Sequence, residues 1–502
     1  MKKTISTLLA TMMLLTLLAC GGALAEDYAT DIDMTEEPYV VAIQVVGLPG
    51  SDYSALEADL EAAANAITVP AINAKLDIQF VWISEVVNTT SMAVAGDEKI
   101  DLVHVATVNS LSSLVGSDLL LDMNEKNLLQ NRGKGLVELQ GSLIKTGNVG
   151  GKQLAIPALT FNATAQGLYY NKNMTDAAGV TIPATGDLDA LEEALYAFHK
   201  ANPDVWPWYI GQGNLNYLYW LAGYENFGSE CSYGAVLDKT AQQPKVENMY
   251  ASELFKSYAL RMYKWRQDGI IGSDSTNTEP AQTYLASQQL LATPATMNQT
   301  QIALQGATAA ASGFSVEWLQ TTGYYISNAA VTEYMWGIAS NSKRPDKAMD
   351  MLNLIYTNAE LANILKYGLE GKTFEFAPGT TSVTIPNGSY IIPFYYAGDQ
   401  SKMYVQAPAG EDFVEKALAD EQGATISILA DYMFDDSEFQ AESAAIYSTI
   451  LQYLPTLQNG MCESEEATLM YLDEFNQNLE ASGINDVIAA NQAQIDAFLT
   501  AQ

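Results

Sequence analysis

The chain has 502 residues, enough for two or three domains, and its 48% hydrophobic and 17% charged residues without a long low-complexity tract describe a globular protein. With 59 Asp+Glu against 24 Lys+Arg its formal charge is −35. Such a surface repels phosphate backbones and anionic headgroups, which argues against nucleic acid as a partner and against direct electrostatic docking to lipid.

Lys2 and Lys3 precede an apolar run over residues 5–19, the pattern of an export signal and too short for a membrane span, which needs about 20 residues. Leu17-Leu18-Ala19-Cys20 resembles the bacterial lipobox, in which the cysteine is lipidated and becomes the first residue of the mature chain. The alternative is an ordinary secretory signal cleaved near Ala23 to Ala25. On the lipobox reading residues 1–19 are a lipoprotein signal peptide and Cys20 is the site of lipidation. No later apolar stretch is long enough to span a bilayer, so attachment then comes from that lipid. Residues 20–37 read as an acidic tether, polar and without apolar period. Cys231 and Cys462 are too few for a disulfide framework. They either pair or remain thiols, and a chain this large does not need the staple.

Residues 39–46 form a nearly continuous apolar run, as in a strand buried on both faces of a parallel sheet. Ser54 and Glu57 make a capping box, and Leu56, Leu60, Ala63 and Ile67 share one helical face. Strands over 76–83 and 101–106, with a helical stretch between them, complete the start of a doubly wound α/β domain. Ligands of such sheets lie beyond the carboxyl ends of the strands, which brings Asp52 and Asn109 to the rim of a site. Residues 151–171 read as two extended segments crossing to a new domain. Helices are predicted over 188–200, 253–267, 346–356 with Pro345 in its first turn, and 358–367 closed by Gly368. Residues 465–480 and 485–499 form two amphipathic helices split at Ser482-Gly483.

The densest cluster of aromatics is Trp206, Trp208, Tyr209, Tyr217, Tyr219, Trp220, Tyr224 and Phe227, interleaved with Gln212, Asn214 and Asn216. A flat ring covers the apolar face of a sugar while amides satisfy its hydroxyls. Tyr217, Trp220 and Tyr224 also fall at the spacing of a buried helical stripe. Trp206, Trp208 and Gln212 lie among Pro203, Pro207, Gly211 and Gly213, and are the stronger solute contacts, with Tyr217 beside them.

Three segments carry a resemblance. Gly151 to Asn171, with Gly-Lys, an apolar pair, Pro and the closing Tyr170-Asn171, resembles the first hinge crossing of the family 1 extracellular solute-binding proteins, which include maltose-binding protein. Residues 291–305 are similar to the return crossing, and Gly337-Ile338-Ala339-Ser340-Asn341-Ser342-Lys343-Arg344-Pro345 to the final hinge. Residues 348–374 resemble a branch with an extra, poorly characterised C-terminal region, and residues 460–499 fit its closing helices. The resemblance implies a two-lobed, periplasmic-binding-protein-like α/β fold with three hinge crossings and an extended helical C-terminal region. It divides the chain into an N-terminal lobe of residues 38–157 plus 293–335 and a C-terminal lobe of residues 158–292 plus 336–375. Residues 376–502 are then an extension packed on the C-terminal lobe. It places Phe161 and Asn162 at the end of the first crossing and Trp336 inside the last. Glu370, after Gly368, is a further candidate to accept hydroxyls or meet a cation. The implied protein is a monomer outside the cell membrane that hands an oligosaccharide to the permease subunits of an ABC importer.

Enzymatic readings fare poorly. The chain has only His104 and His199, with no metal-ligand spacing and no nucleophile–base pattern, and Gly-x-Ser-x-Gly is absent. Gly371-Lys372-Thr373 mimics the tail of a phosphate loop, but Lys366 stands where its first glycine is needed. No catalytic residue, cofactor or metal is expected. The alternatives are a surface polysaccharide- or peptide-binding lipoprotein without a transport partner, and a glycoside hydrolase using two of the many carboxylates.

Overall fold

The computed structural model describes residues 27–47, 54–82, 85–106, 109, 111–183, 188–209, 223–272, 281–332, 334–386, 398–407 and 409–501. The chain enters as β1 (Tyr39–Gly47), turns through α1 (Ser54–Ile72) and pairs back in parallel as β2 (Ala74–Trp82). Next come α2 (Val86–Ala95), β3 (Leu102–Ala106), also parallel to β1, and β4 (Ile156–Pro157). A second body holds β5 (Ala165–Asn171), α3 (Leu188–Ala201), β6 (Trp206–Trp208), α4 (Glu253–Gln267), β7 (Leu290–Met297), α5 (Gln299–Ala311) and β8 (Val316–Gln320). The chain returns to the first body as β9 (Tyr334–Ile338), α6 (Pro345–Thr357) and α7 (Ala359–Tyr367). It closes with α8 (Phe413–Gly423), α9 (Gln440–Gln458), α10 (Glu465–Ala481) and α11 (Ile484–Ala501).

The first lobe is built on a sheet of order β2-β1-β3-β9-β4 and the second on one of order β8-β5-β7-β6. This is the two-lobed α/β fold expected. β1 is apolar without alternation because both of its faces are covered. Val41, Ile43 and Val45 point to one core with Leu60 and Ala64 of α1, and Val46 meets Val81 and Val86 on the other side. α6 begins with Pro345 in its first turn, as predicted, and buries Met349, Leu352 and Tyr356 in the same core.

Pairing redraws the lobe boundaries. Residues 293–335, expected in the N-terminal lobe, include strands of the second sheet. β7 runs antiparallel to β5 from Ala292↔Tyr170 to Met297↔Ala165, and β8 from Val316↔Asn171 to Gln320↔Gly167. Residues 336–375, expected in the C-terminal lobe, belong with the first. β9 pairs antiparallel with β3, Trp336 opposite His104, while α6 and α7 send Leu352, Leu361 and Leu365 into the first core. The motif resembling a final hinge is thus the landing of the second crossing, after Ile326. The third lies between Ile385, packed on the first core, and Ile428, packed on the second. A strand's lobe is set by its hydrogen-bonded neighbours, which spacing along the chain does not report.

One other expectation changes. Residues 27–37 are not slack. Asn73 Nδ2 donates to the carbonyls of Asp33 (3.1 Å) and Glu36 (2.9 Å), and Arg344 holds the Glu36 carboxylate through Nη1 and Nη2 at 3.0 and 2.9 Å. Polar residues without apolar period still order when the folded body offers buried cations and amides. The helices of the extension pack into the second core: Tyr250 packs against Phe255 and Phe475, and Trp265, Ile450, Leu454 and Leu479 share that core. Cys231, buried there, and the part-exposed Cys462 are both free thiols. Among the described residues no helix is long and apolar enough to cross a membrane.

Candidate functional site

The parallel strands of the first sheet end at Gly47, Trp82 and Ala106, with Gly47 and Trp82 in register. Trp82 is 42% exposed, and its strand partner has no side chain to cover it. In the second lobe β7 ends at Met297, and Asn298 caps α5 by accepting from the Gln301 N–H at 3.0 Å. The same Asn298 donates from Nδ2 to the Phe161 carbonyl at 3.4 Å, so this strand end meets the first crossing. Polar side chains converge there. Thr296 Oγ1 donates to Gln166 Oε1 at 2.7 Å, and Gln299 Nε2 donates to Asp420 Oδ2 at 2.6 Å and to the Tyr324 hydroxyl at 3.4 Å. Burial, helped by Asp420, pushes the Tyr324 phenol up to about 12, so it stays a neutral donor.

The third crossing buttresses the first. Phe161 N–H donates to Gln400 Oε1 at 3.0 Å, Ala163 N–H donates to Glu421 Oε1, and the Phe161 and Phe413 rings meet edge-on at 5.8 Å. Burial raises the Glu421 carboxyl against the backbone donors that hold it ionised. Between α5 and Ala407 runs a groove of about 620 Å³ lined by Ile302, Ala303, Gly306, Ala307 and Ala310.

The predicted residues divide into groups. Phe161 and Asn162 stand at the hinge beside Asn298, both nearly sealed, with Thr160 Oγ1 donating to Asn162 Oδ1 at 2.9 Å. Asn109 lies just past the end of β3, but it is buried and its Nδ2 donates to the His104 carbonyl at 2.8 Å. Glu370 is exposed in a turn beside Lys372, which pairs with Asp59 of α1. Asp52, Gln212 and Tyr217 lie outside the described residues, as do Cys20 and the leader.

Three tryptophans are not brought to the rim. Trp206 and Trp208 pair with Leu290 and Ala292, at the start of β7. At about 3.3 Å per residue that is roughly 16–23 Å from Met297 and the hinge. Trp208 is buried edge-on to Trp265, and Trp206 lies over Gly272, where an added Cβ would come within 2.5 Å of its ring, and beside Tyr284 at 5.0 Å. Trp336 is wholly buried in β9, edge-on to His104 at 5.9 Å, the packed alternative to a ring facing the cleft. Aromatic density marked the second lobe's core. Sequence reasoning missed Trp82, which the strand-end rule reaches directly, and Asn298 and Gln299, a capping signal after a strand.

His104 is held in the first sheet, and burial pushes its imidazole down to about 3, leaving it neutral.

Two α/β lobes joined by three crossings define the class of the solute-binding proteins. The comparisons agree. Residues 428–500 match the family described as Domain of unknown function (DUF3502). A carbohydrate ABC transporter substrate-binding protein of Streptococcus pneumoniae is 24% identical over 496 residues, 96% of this chain and 95% of that one. The solved N-glycan transport solute binding protein (NgtS) of Streptococcus pneumoniae superposes with TM-score 0.76 at 22% identity, covering 92% of this chain and 99% of that one. That protein is also solved in complex with Man1GlcNAc and Man5GlcNAc. An HMO-binding, ABC-transporter-associated solute binding protein of Bifidobacterium longum infantis gives TM-score 0.66 at 16% identity, covering 92% and 100%. The resemblance to extracellular solute-binding proteins, in a branch with an extra C-terminal region, thus agrees with the proteins to which the chain is similar over nearly its whole length and with the match at its C-terminal end.

Proposed function

We propose that this chain is a lipid-anchored extracellular receptor that binds an oligosaccharide between its lobes and delivers it to an ABC importer. The observation that carries the proposal is the convergence of Gln166, Asn298, Gln299 and Tyr324 at the hinge, together with Trp82 exposed at the strand ends of the first lobe. Amides and a phenol match sugar hydroxyls, and an indole matches a sugar's C–H face. The near full-length similarity to an N-glycan-binding receptor supports the same class of solute. Closure follows from contacts that the solute makes with both lobes at once. Cys20 holds the receptor beside its permease.

A thermal-shift screen of the leaderless protein against mannose- and N-acetylglucosamine-containing oligosaccharides, with peptides as contrast, tests the solute. At about 100 times its dissociation constant a true ligand adds roughly 2.7 kcal/mol of stability. Stabilisation by peptides and by no glycan would sink the proposal. Labelled palmitate appearing on the chain in cells, and not on the Cys20→Ser variant, is the expected result for the anchor.

A further inference from the structure

The hydrogen bonds at the hinge have a direction, and Asp420 on α8 sets it. A carboxylate only accepts hydrogen bonds. Gln299 Nε2 donates to Asp420 Oδ2 at 2.6 Å, and the neutral Tyr324 phenol is hydrogen-bonded to the same carboxylate. The acceptor end of Gln299, its Oε1, is thereby turned away from Asp420. The Tyr324 oxygen, with its proton committed, keeps only lone pairs, one of them reached by Gln299 Nε2 at 3.4 Å. Gln299, Tyr324 and Asp420 are all part-exposed.

The same place is unbalanced in charge. Residues 411–423 hold five acidic residues and one lysine, and that Lys416 pairs with Asp412 at 2.7 Å. Glu421, next to Asp420, is held by the backbone N–H groups of Ala163 and Asn162. Every lysine and arginine after Lys3 lies among the described residues, and none of the ion pairs they form there reaches Asp420 or Glu421. Two cations on neighbouring segments are engaged elsewhere. Lys402 pairs with Asp399 at 3.0 Å, and Lys239 lies 4.1 Å over the Tyr325 ring, supported by Glu225.

We propose that Asp420 is a specificity-determining residue that restricts the solute to glycans with no acidic group at the hinge. The proposal deepens the glycan reading of this hinge and rests on it. Sugar hydroxyls and N-acetyl N–H groups supply the donors that Gln299 and Tyr324 are turned to accept. A carboxylate or sulfate in their place brings only further acceptors and a charge without a counter-charge. Screening acts beyond about 8 Å, and a sugar bonded to Gln299 lies well inside that distance from Asp420.

The test uses glycans released from ovalbumin, with part of their primary hydroxyls oxidised to carboxylates, so that every acidic glycan has a neutral counterpart of the same skeleton. The leaderless chain is immobilised, and the retained glycans are compared with the input by mass spectrometry. The unsubstituted chain should retain neutral forms several-fold over their singly oxidised counterparts, and this preference should shrink as salt is raised. Asp420→Asn should narrow the ratio several-fold by gaining oxidised glycan, because an amide also donates and carries no charge. A damaged fold would lose both forms instead, and the salt series on the unsubstituted chain then decides. Glu466→Gln, which removes an exposed carboxylate from the first turn of α10, should leave the ratio as it was. Equal retention of the two forms by the unsubstituted chain, a preference indifferent to salt, an unchanged ratio in a folded Asp420→Asn, or the same narrowing in Glu466→Gln overturns the proposal. Retention of no glycan in either form would instead strike the glycan reading itself, and the proposal with it.

Discussion

Arg132 donates through Nε to Asp350 Oδ1 at 2.7 Å, and both side chains are sealed from solvent. Burial pushes the Asp350 carboxyl up, and the guanidinium opposes that shift. The pair joins the segment after β3 to α6, and the spare Nη1 of Arg132 fixes the carbonyls of Ala29 and Asp31.

Removing one partner leaves the other charge buried and unmatched. Arg132→Ala should cost about 3–5 kcal/mol of stability. Replacing both partners by apolar residues of similar volume should cost clearly less, while still freeing residues 27–31. Guanidinium unfolding gives the energies, and hydrogen exchange of residues 27–31 reads the release. Equal losses in the single and double variants would remove the charge-matching account.

A second pair ties the hinge to the extension. Glu225 is buried and accepts from the Tyr325 hydroxyl at 3.1 Å, from the Asn328 N–H at 2.8 Å, and from Ser427 Oγ. Lys239 lies 4.1 Å over the Tyr325 ring, its ammonium pushed down by burial and supported by Glu225. Glu225→Leu strands three donors, so a loss of about 3 kcal/mol or more is expected at roughly 1–3 kcal/mol each. Proteolysis between residues 398 and 430 should accelerate with it. An unchanged cleavage rate would show that Glu225 does not hold the third crossing.

These tie points explain what the sequence disclosed. β1, α4, α6, α7 and α10 announced themselves, because apolar period, Pro345 and the closing Gly368 act locally. The lobe to which β7 or β9 belongs was hidden, since it depends on partners such as Tyr170 and His104 more than a hundred residues away. The place of Phe161 and Asn162 at the hinge was legible from the crossing motif. The packing of Trp206 and Trp208 was not legible, because a ring packing a core and a ring awaiting a sugar have the same composition.

A pH effect follows from Glu230, half-buried with a φ of 57° and a carboxyl pushed up to about 7 by burial. An unfolded glutamate titrates near 4.3. Between those values the folded chain binds the proton more tightly, so this residue's contribution to stability is full below the unfolded value and is lost as pH rises through about 7. Glu230→Gln should therefore gain stability relative to the parent above pH 7, by about 1 kcal/mol after allowing for solvent screening. At pH 4 it should gain none. Melting curves at both pH values decide it, and an equal gain at each would assign the effect to something other than titration.

The division among tryptophans gives the last prediction. Trp82 is exposed at the strand ends, whereas Trp208 and Trp336 are core. If the ring covers a sugar face with about the 0.5–1.5 kcal/mol of an aromatic pair, Trp82→Ala should weaken glycan binding up to about tenfold. Its melting temperature should barely move, because an exposed ring leaves no cavity. Trp208→Ala should do the reverse, costing about 3–5 kcal/mol of stability while leaving the affinity of the folded fraction near that of the parent. Calorimetric titration with the glycan selected by the thermal screen, paired with melting curves, separates the two axes. If Trp208→Ala weakened binding more than Trp82→Ala at equal folded fraction, the solute would lie in the second lobe near Trp206, and the hinge-centred cleft would be wrong.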